Sequence, residues 1–149
     1  MEPILLAYVG VACMVGMSGI GSAYGLTICG NTVIGAMKKA PEKMGTYIAL
    51  SALPSSQGLY GFVGYMFVSE YLVQSISWIT AAGIFGAGLL MGFANLLSGI
   101  RQGQVCANGV AATVAGHNVF AATMVMAVFP ELYAILSLVV TILIAQTFA

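Results

Sequence analysis

Four apolar stretches, at roughly 4–37, 46–72, 79–113 and 119–148, leave this chain almost no way to fold in water. A helix needs about 20 apolar residues to cross a hydrocarbon core, and each stretch exceeds that. Charged residues make up 5% of the sequence, against about 25% in an ordinary soluble domain, too few to wet a protein surface. A soluble globular enzyme, a disordered chain and a nucleic-acid binder working through a basic face are excluded together. The expected fold class is an all-α membrane protein of four transmembrane helices. The first and third stretches, at roughly 50 Å if helical, must tilt or extend past the bilayer on one side.

The breaks between stretches set the expected topology. Pro3 suits a first helical turn. The first break reads K-K-A-P-E-K: Lys38 and Lys39 suit a helix C-terminus, while Pro41 and Glu42 suit the next N-terminus. The second holds Glu70, with Tyr71 and Trp78 as interface anchors. The third lies near Ala115-Gly116-His117-Asn118, where His117 reads as a solvated loop residue. Three of the four basic residues lie in the first loop, so that loop is expected on the cytoplasmic side, with both termini and the Glu70 loop opposite. Glu2 stands where a secretory signal would carry Lys or Arg, so the first stretch is expected to count as structure. Cys13, Cys29 and Cys106 lie in apolar surroundings without a C-x-x-C spacing and read as small apolar fillers.

The two halves resemble each other. Ser18-Gly19-Ile20 recurs as Ser98-Gly99-Ile100, and Leu53-Pro54-Ser55 aligns with Phe129-Pro130-Glu131 at a slightly smaller spacing, which implies a shorter connecting loop in the second half. The expectation is a tandem duplication of one helical hairpin, the first over 1–75 and the second over 76–149. Glycine concentrates in the first and third stretches, with small residues at four-residue spacing (Gly21, Gly25, Cys29; Gly99, Gly103, Ala107, Ala111). Such a face lets helix backbones approach closely in lipid. It serves either packing within one chain or the side-by-side packing of copies into a tight inner ring.

Glu131 is the one acidic residue deep inside an apolar stretch, and the first hairpin has Ser55 in its place. A charge near mid-bilayer is expensive, so it is a functional candidate by default. Ser55, Ser56, Gln57, Tyr60 and Gln102 could converge on it. Pro54 and Pro130 each remove a helical N–H and are expected to free the carbonyls of Leu50 and Met126. Buried amides are costly without partners, so two intramembrane glutamines need either each other's helices or a dehydrated cation among oxygen ligands.

The stretches S-G-I-G-S-A-Y-G, L-P-S-S-Q-G-L-Y-G-F, S-G-I-R-Q-G-Q-V and F-P-E-L-Y-A-I-L resemble the K subunit (the proteolipid) of prokaryotic V/A-type rotary ATPases, over nearly the whole chain. The resemblance implies a homo-oligomeric rotor ring in the cell's inner membrane. The ring would turn against a membrane stator subunit with an essential arginine and couple, through a central stalk at the cytoplasmic loops, to ATP hydrolysis or synthesis. It further implies that Glu131 carries the ion and that Ser56, Gln57 and Gln102 supply side-chain oxygens to Na⁺. Leu53 would supply its backbone carbonyl, and Tyr60 a hydrogen bond to the carboxylate. Two positions depart from the family pattern: Arg101, where a small residue is expected, and Leu132, where some relatives carry a hydroxyl. An Arg101 that reached Glu131 would form a fixed ion pair in competition with the ion.

A proton asks only for a desolvated carboxylate, not for two amides and a hydroxyl, so Na⁺ is the expected ion and H⁺ the alternative. A small dimeric cation or drug antiporter would instead line Glu131 with aromatic residues, and a structural tetraspan would transport nothing. The chain has no G-x-x-x-x-G-K-[ST] loop, so nucleotide chemistry belongs to partners and the chain is not by itself an enzyme.

Overall fold

The computed structural model describes residues 2–148. Helix α1 spans Pro3–Met37, α2 Met44–Ala52, α3 Ser56–Val68, α4 Trp78–Val114 and α5 Phe120–Gln146. Pro3 opens α1, as its missing N–H allows. Ser77 caps α4, its hydroxyl accepting from the Thr80 N–H at 3.1 Å. Gly116, with φ of +95°, turns the chain out of α4, a conformation a side chain would strain. Helices α1, α4 and α5 are each long and apolar enough to cross a membrane.

The second expected span departs from a continuous helix. It is broken into α2 and α3 by a 3-10 turn over Leu53–Ser55. Pro54 has no N–H to give and its ring crowds the preceding turn. The Leu50 carbonyl is not left free as expected, because the Leu53 N–H donates to it. The hydroxyls that follow the proline complete the turn: Ser55 donates to the Ala52 carbonyl at 2.7 Å and Ser56 to the Leu53 carbonyl at 3.3 Å. Pro130, followed by Glu131 and Leu132, sits inside an unbroken α5. The same residue breaks one helix and not the other because only the first has neighbouring hydroxyls to satisfy the tightened turn.

Helices α1 and α4 run parallel and touch along their length, Gly10 against Gly88, Gly21 against Gly99 and Gly25 against Gly103. The small-residue stripes at Gly21/Gly25 and Gly99/Gly103 are therefore consumed inside one chain, not held for a neighbouring copy. A different face of α1 stays open, where Gly16, Gly19 and Gly30 have nothing within 4 Å of an added Cβ. Helix α3 flanks α1, with Gly61 against Ser18, and α5 flanks α4, with Gly109 against Thr123. Two apolar clusters fill the interior. One gathers Met14, Ile84 and Met91; the other holds Tyr47, Leu50 and the two buried free cysteines, Cys29 and Cys106.

Within the second cluster the Tyr47 hydroxyl is buried without a hydrogen-bond partner. An unmet buried polar group costs about 1–3 kcal/mol. Tyr47→Phe is therefore expected to raise the melting temperature of the detergent-solubilised subunit, measured by circular dichroism. A fall would mean that the hydroxyl has a partner in the folded state.

Candidate ion-binding site

The broken second span brings Gln57 and Tyr60, on the first turns of α3, to the level of Gln102 on α4 and Glu131 on α5. Tyr60 donates its hydroxyl to Glu131 Oε1 at 2.8 Å, and Gln102 Nε2 donates to Glu131 Oε2 at 2.9 Å. Both carboxylate oxygens are thereby held, one from each hairpin.

The amides form a relay behind the carboxylate. Gln102 Nε2 also donates to the Ala127 carbonyl at 3.0 Å. Gln57 Nε2 donates to Gln102 Oε1 at 2.9 Å and to Ser98 Oγ at 3.0 Å. Both glutamines are fully buried. An amide nitrogen has two hydrogens to give, and all four are taken. The amide planes cannot flip without orphaning a buried donor, so their oxygens are fixed in direction. Gln57 Oε1 is turned toward the Ser56 hydroxyl, 3.4 Å away, and Ser56 in turn donates to the Leu53 carbonyl. Leu53, Ser56, Gln57, Tyr60, Gln102 and Glu131 are joined in one network, whereas Ser55, also expected to converge on Glu131, is exposed and bonds to the Ala52 carbonyl.

Sequence reasoning missed two members. Ser98 accepts from Gln57 and donates to the Pro130 carbonyl at 2.8 Å, tying α3 to α5 through α4. Asn95, fully buried a turn away, donates to Ser18 Oγ at 2.8 Å and to the Gln57 carbonyl at 3.2 Å. The signal for Asn95 was present: an amide in an apolar stretch needs partners, the same reasoning that singled out the glutamines. Ser98 gave no comparable signal, since a lone serine can satisfy itself on its own helix.

Arg101 does not enter the network. Its side chain is exposed, and Nη1 donates to Gln104 Oε1 at 3.0 Å on the same helix. Neighbouring helix positions point about 100° apart, which separates it from Gln102. Leu132 is exposed as well and offers no hydroxyl. Among the described residues no three His, Cys, Asp or Glu side chains cluster, so a transition-metal centre has no ligand set here, whereas hard oxygen donors are present.

The family model for the C subunit of ATP synthase matches residues 9–68 and again 85–144, one match per hairpin. The chain belongs to that family. It is 36% identical over 143 residues to the A-type ATP synthase subunit K of Methanocaldococcus jannaschii, covering 96% of this chain and 63% of that protein, so it spans less than two thirds of that relative's length. It is 33% identical to the V-type sodium ATPase subunit K of Enterococcus hirae, over 95% of this chain and 90% of the relative. It is 28% identical to the c'' subunit of the V-type proton ATPase of Saccharomyces cerevisiae, over 97% of this chain and 71% of the relative. The family identity and the apolar helices make this a membrane protein. The doubled match agrees with a duplicated hairpin.

Proposed function

We propose that this chain is the rotor-ring subunit of a V/A-type rotary ATPase and that Glu131 carries Na⁺ across the membrane, coupled to ATP hydrolysis or synthesis. What carries the reading is the pair of buried glutamines whose N–H groups are all spent, leaving fixed oxygens beside a lone intramembrane carboxylate. A proton site has no use for that arrangement. The subunit K relatives, one of them named for sodium, support it further.

In this reading the ion enters among Glu131, Gln57 Oε1, Gln102 Oε1, the Ser56 hydroxyl and the Leu53 carbonyl. Tyr60 keeps its hydrogen bond to the carboxylate, and Gln102 holds the opposite oxygen until the ion arrives. A bare carboxylate facing lipid costs at least a few kcal/mol, so the site travels through lipid only when its charge is cancelled. The ion is released where a stator arginine meets Glu131. The membrane potential contributes about 2.3 kcal/mol per charge per 100 mV, so several ions accompany each ATP. The first and third loops, on the cytoplasmic side, meet the central stalk. The membrane is the inner membrane of a prokaryotic cell, with both termini on the non-cytoplasmic face.

Carbodiimide labelling of Glu131 at fixed pH tests the ion. Millimolar Na⁺ is expected to protect the carboxylate and K⁺ is not; labelling that ignores Na⁺ assigns the site to protons. A hydrogen bond to a charged group contributes about 1.5–3 kcal/mol, so Gln102→Ala is expected to raise the Na⁺ concentration for half protection by roughly tenfold or more. Unchanged protection in that variant removes Gln102 from the ligand set. The antiporter reading finds little support, since among the described residues Tyr60 is the one aromatic side chain bonded to Glu131, and the groove between α4 and α5 that Phe129 and Tyr133 line does not include Glu131.

A further inference from the structure

The break at Pro54 starts α3 anew inside an apolar stretch, with no side-chain cap from Ser55. The first N–H groups of a helix have no partner within it, and lipid supplies none. Helix α1 supplies one: the Gly58 N–H donates to Ser22 Oγ at 2.8 Å. Nearly one turn on, Gly61 lies directly against Ser18, where a Cβ would have no room. From α4, Asn95 spends one N–H on Ser18 Oγ, at 2.8 Å, and the other on the Gln57 carbonyl, at 3.2 Å. The first turn of α3 is therefore held by side chains of two other helices. That turn carries the Ser56 hydroxyl and Gln57 Oε1, and Tyr60 follows one turn later.

The internal repeat marks the same positions. The spacing that relates Ser18 to Ser98 relates Ser22 to Gln102. In the second hairpin these positions reach across to the following helix, Ser98 donating to the Pro130 carbonyl and Gln102 to the Ala127 carbonyl. In the first hairpin Ser22 does the same job by accepting from Gly58. Asn95 has no such twin. Its counterpart is Val15, which lines an apolar groove with Phe62 and Tyr65 of α3. The amide is an addition of the second hairpin, and both its N–H groups go to the first.

We infer that Asn95 and Ser22 are positioning residues of the ion site, which fix the first turn of α3 and thereby set the preference for Na⁺ over H⁺. The inference rests on the Na⁺ reading and adds to it the place where the preference is built. Both residues act through α3 rather than on Glu131 itself. A proton needs only the carboxylate, which Gln102 of α4 holds independently of α3. A cation of fixed size needs the Leu53, Ser56 and Gln57 oxygens at a fixed distance from that carboxylate. Loosening the turn that carries them weakens Na⁺ binding and spares the proton.

The test uses the complete chain in membranes, with carbodiimide labelling of Glu131 read against Na⁺ and against pH. Asn95→Ala is expected to raise the Na⁺ concentration for half protection roughly tenfold or more, as loss of an outer-shell partner does at metal sites. The pH midpoint of labelling without Na⁺ is expected to stay at the value of the unaltered chain. The variant orphans no buried group, since Ser18 keeps its bond to the Met14 carbonyl and the Gln57 carbonyl keeps its own helix's N–H. Ser22→Ala, at the other anchor, is expected to shift Na⁺ protection the same way, and it decides the matter if Asn95→Ala does not accumulate. Thr141→Val removes a buried hydroxyl about 15 Å along α5 from Glu131 and is expected to lower the melting temperature without moving Na⁺ protection. Unchanged Na⁺ protection in Asn95→Ala, or in Ser22→Ala where the first variant is not recovered, overturns the inference. So does an equal shift in Na⁺ and proton affinity, or an equal loss of protection in Thr141→Val. Labelling of the unaltered chain that ignores Na⁺ defeats the Na⁺ reading itself, before any variant is compared.

Discussion

Glu131→Gln is expected to reduce ATP-driven Na⁺ uptake by reconstituted complexes to the leak rate while leaving the subunit folded. The amide has nearly the carboxylate's shape, so its oxygen can still accept from Tyr60; its NH2 then faces Gln102 Nε2, and the one hydrogen bond lost, about 1–3 kcal/mol, leaves the helix packing in place. What it lacks is the negative charge. A Na⁺ bound among neutral oxygens would carry a full positive charge into lipid, at a cost of at least a few kcal/mol, and the rotor would either stay empty or stall. The measurement is ²²Na⁺ uptake by vesicles, with folding of the variant followed by circular dichroism. Substantial uptake by the variant would remove Glu131 from the ion path. A protein that served only as a structural tetraspan would be insensitive to the change.

The second large effect concerns folding. A Cβ built on Gly99 lies 2.7 Å from the Gly21 carbonyl carbon and 3.1 Å from the Ser22 nitrogen. Both are backbone atoms of α1, which cannot rotate aside as a side chain can. Gly99→Val must therefore push the parallel helices α1 and α4 apart over several turns, more than the roughly 1–3 kcal/mol of ordinary overpacking. It would also carry Ser98 and Gln102 away from Gln57. The expected outcome is loss of the folded subunit, read as a melting temperature lowered by roughly ten degrees or more, or no recoverable protein. Gly30→Ala, on the open face of α1, is the contrast. It is expected to leave the melting temperature of the isolated subunit unchanged or raise it slightly, because alanine is the better helix former. Equal effects from the two changes would show that α1 and α4 do not pack as described.

The polar network around Glu131 was legible in the sequence because each member breaks a rule of its surroundings. A carboxylate, two amides, two prolines and a tyrosine hydroxyl stand in stretches that otherwise bury only apolar groups, and polar atoms in lipid must find one another. Helix position then limited which of them could meet, since Gln57 and Tyr60 lie about a turn apart on one helix. Ser98 escaped notice because its hydroxyl could have been satisfied locally, and only the packing of α3 across α4 shows that it is not. The glycine stripes were legible as close-packing surfaces but not as to partner. Whether Gly21 and Gly25 meet their own chain or another depends on the rotation of α1 about its axis, which no spacing of small residues states.

The sequence by itself determined the apolar surroundings, the helical class, the internal repeat and the one carboxylate set deep in an apolar stretch. Those follow from the free energy of placing polar groups in hydrocarbon, a property of residue order alone. The tertiary structure decided the rest: that Pro54 breaks its helix while Pro130 does not, that the four amide hydrogens of Gln57 and Gln102 are all spent, and that Arg101 turns away from Glu131. Each of these depends on which neighbour a side chain finds across a helix interface, and that is fixed by packing between segments far apart in the chain rather than by any one segment's composition.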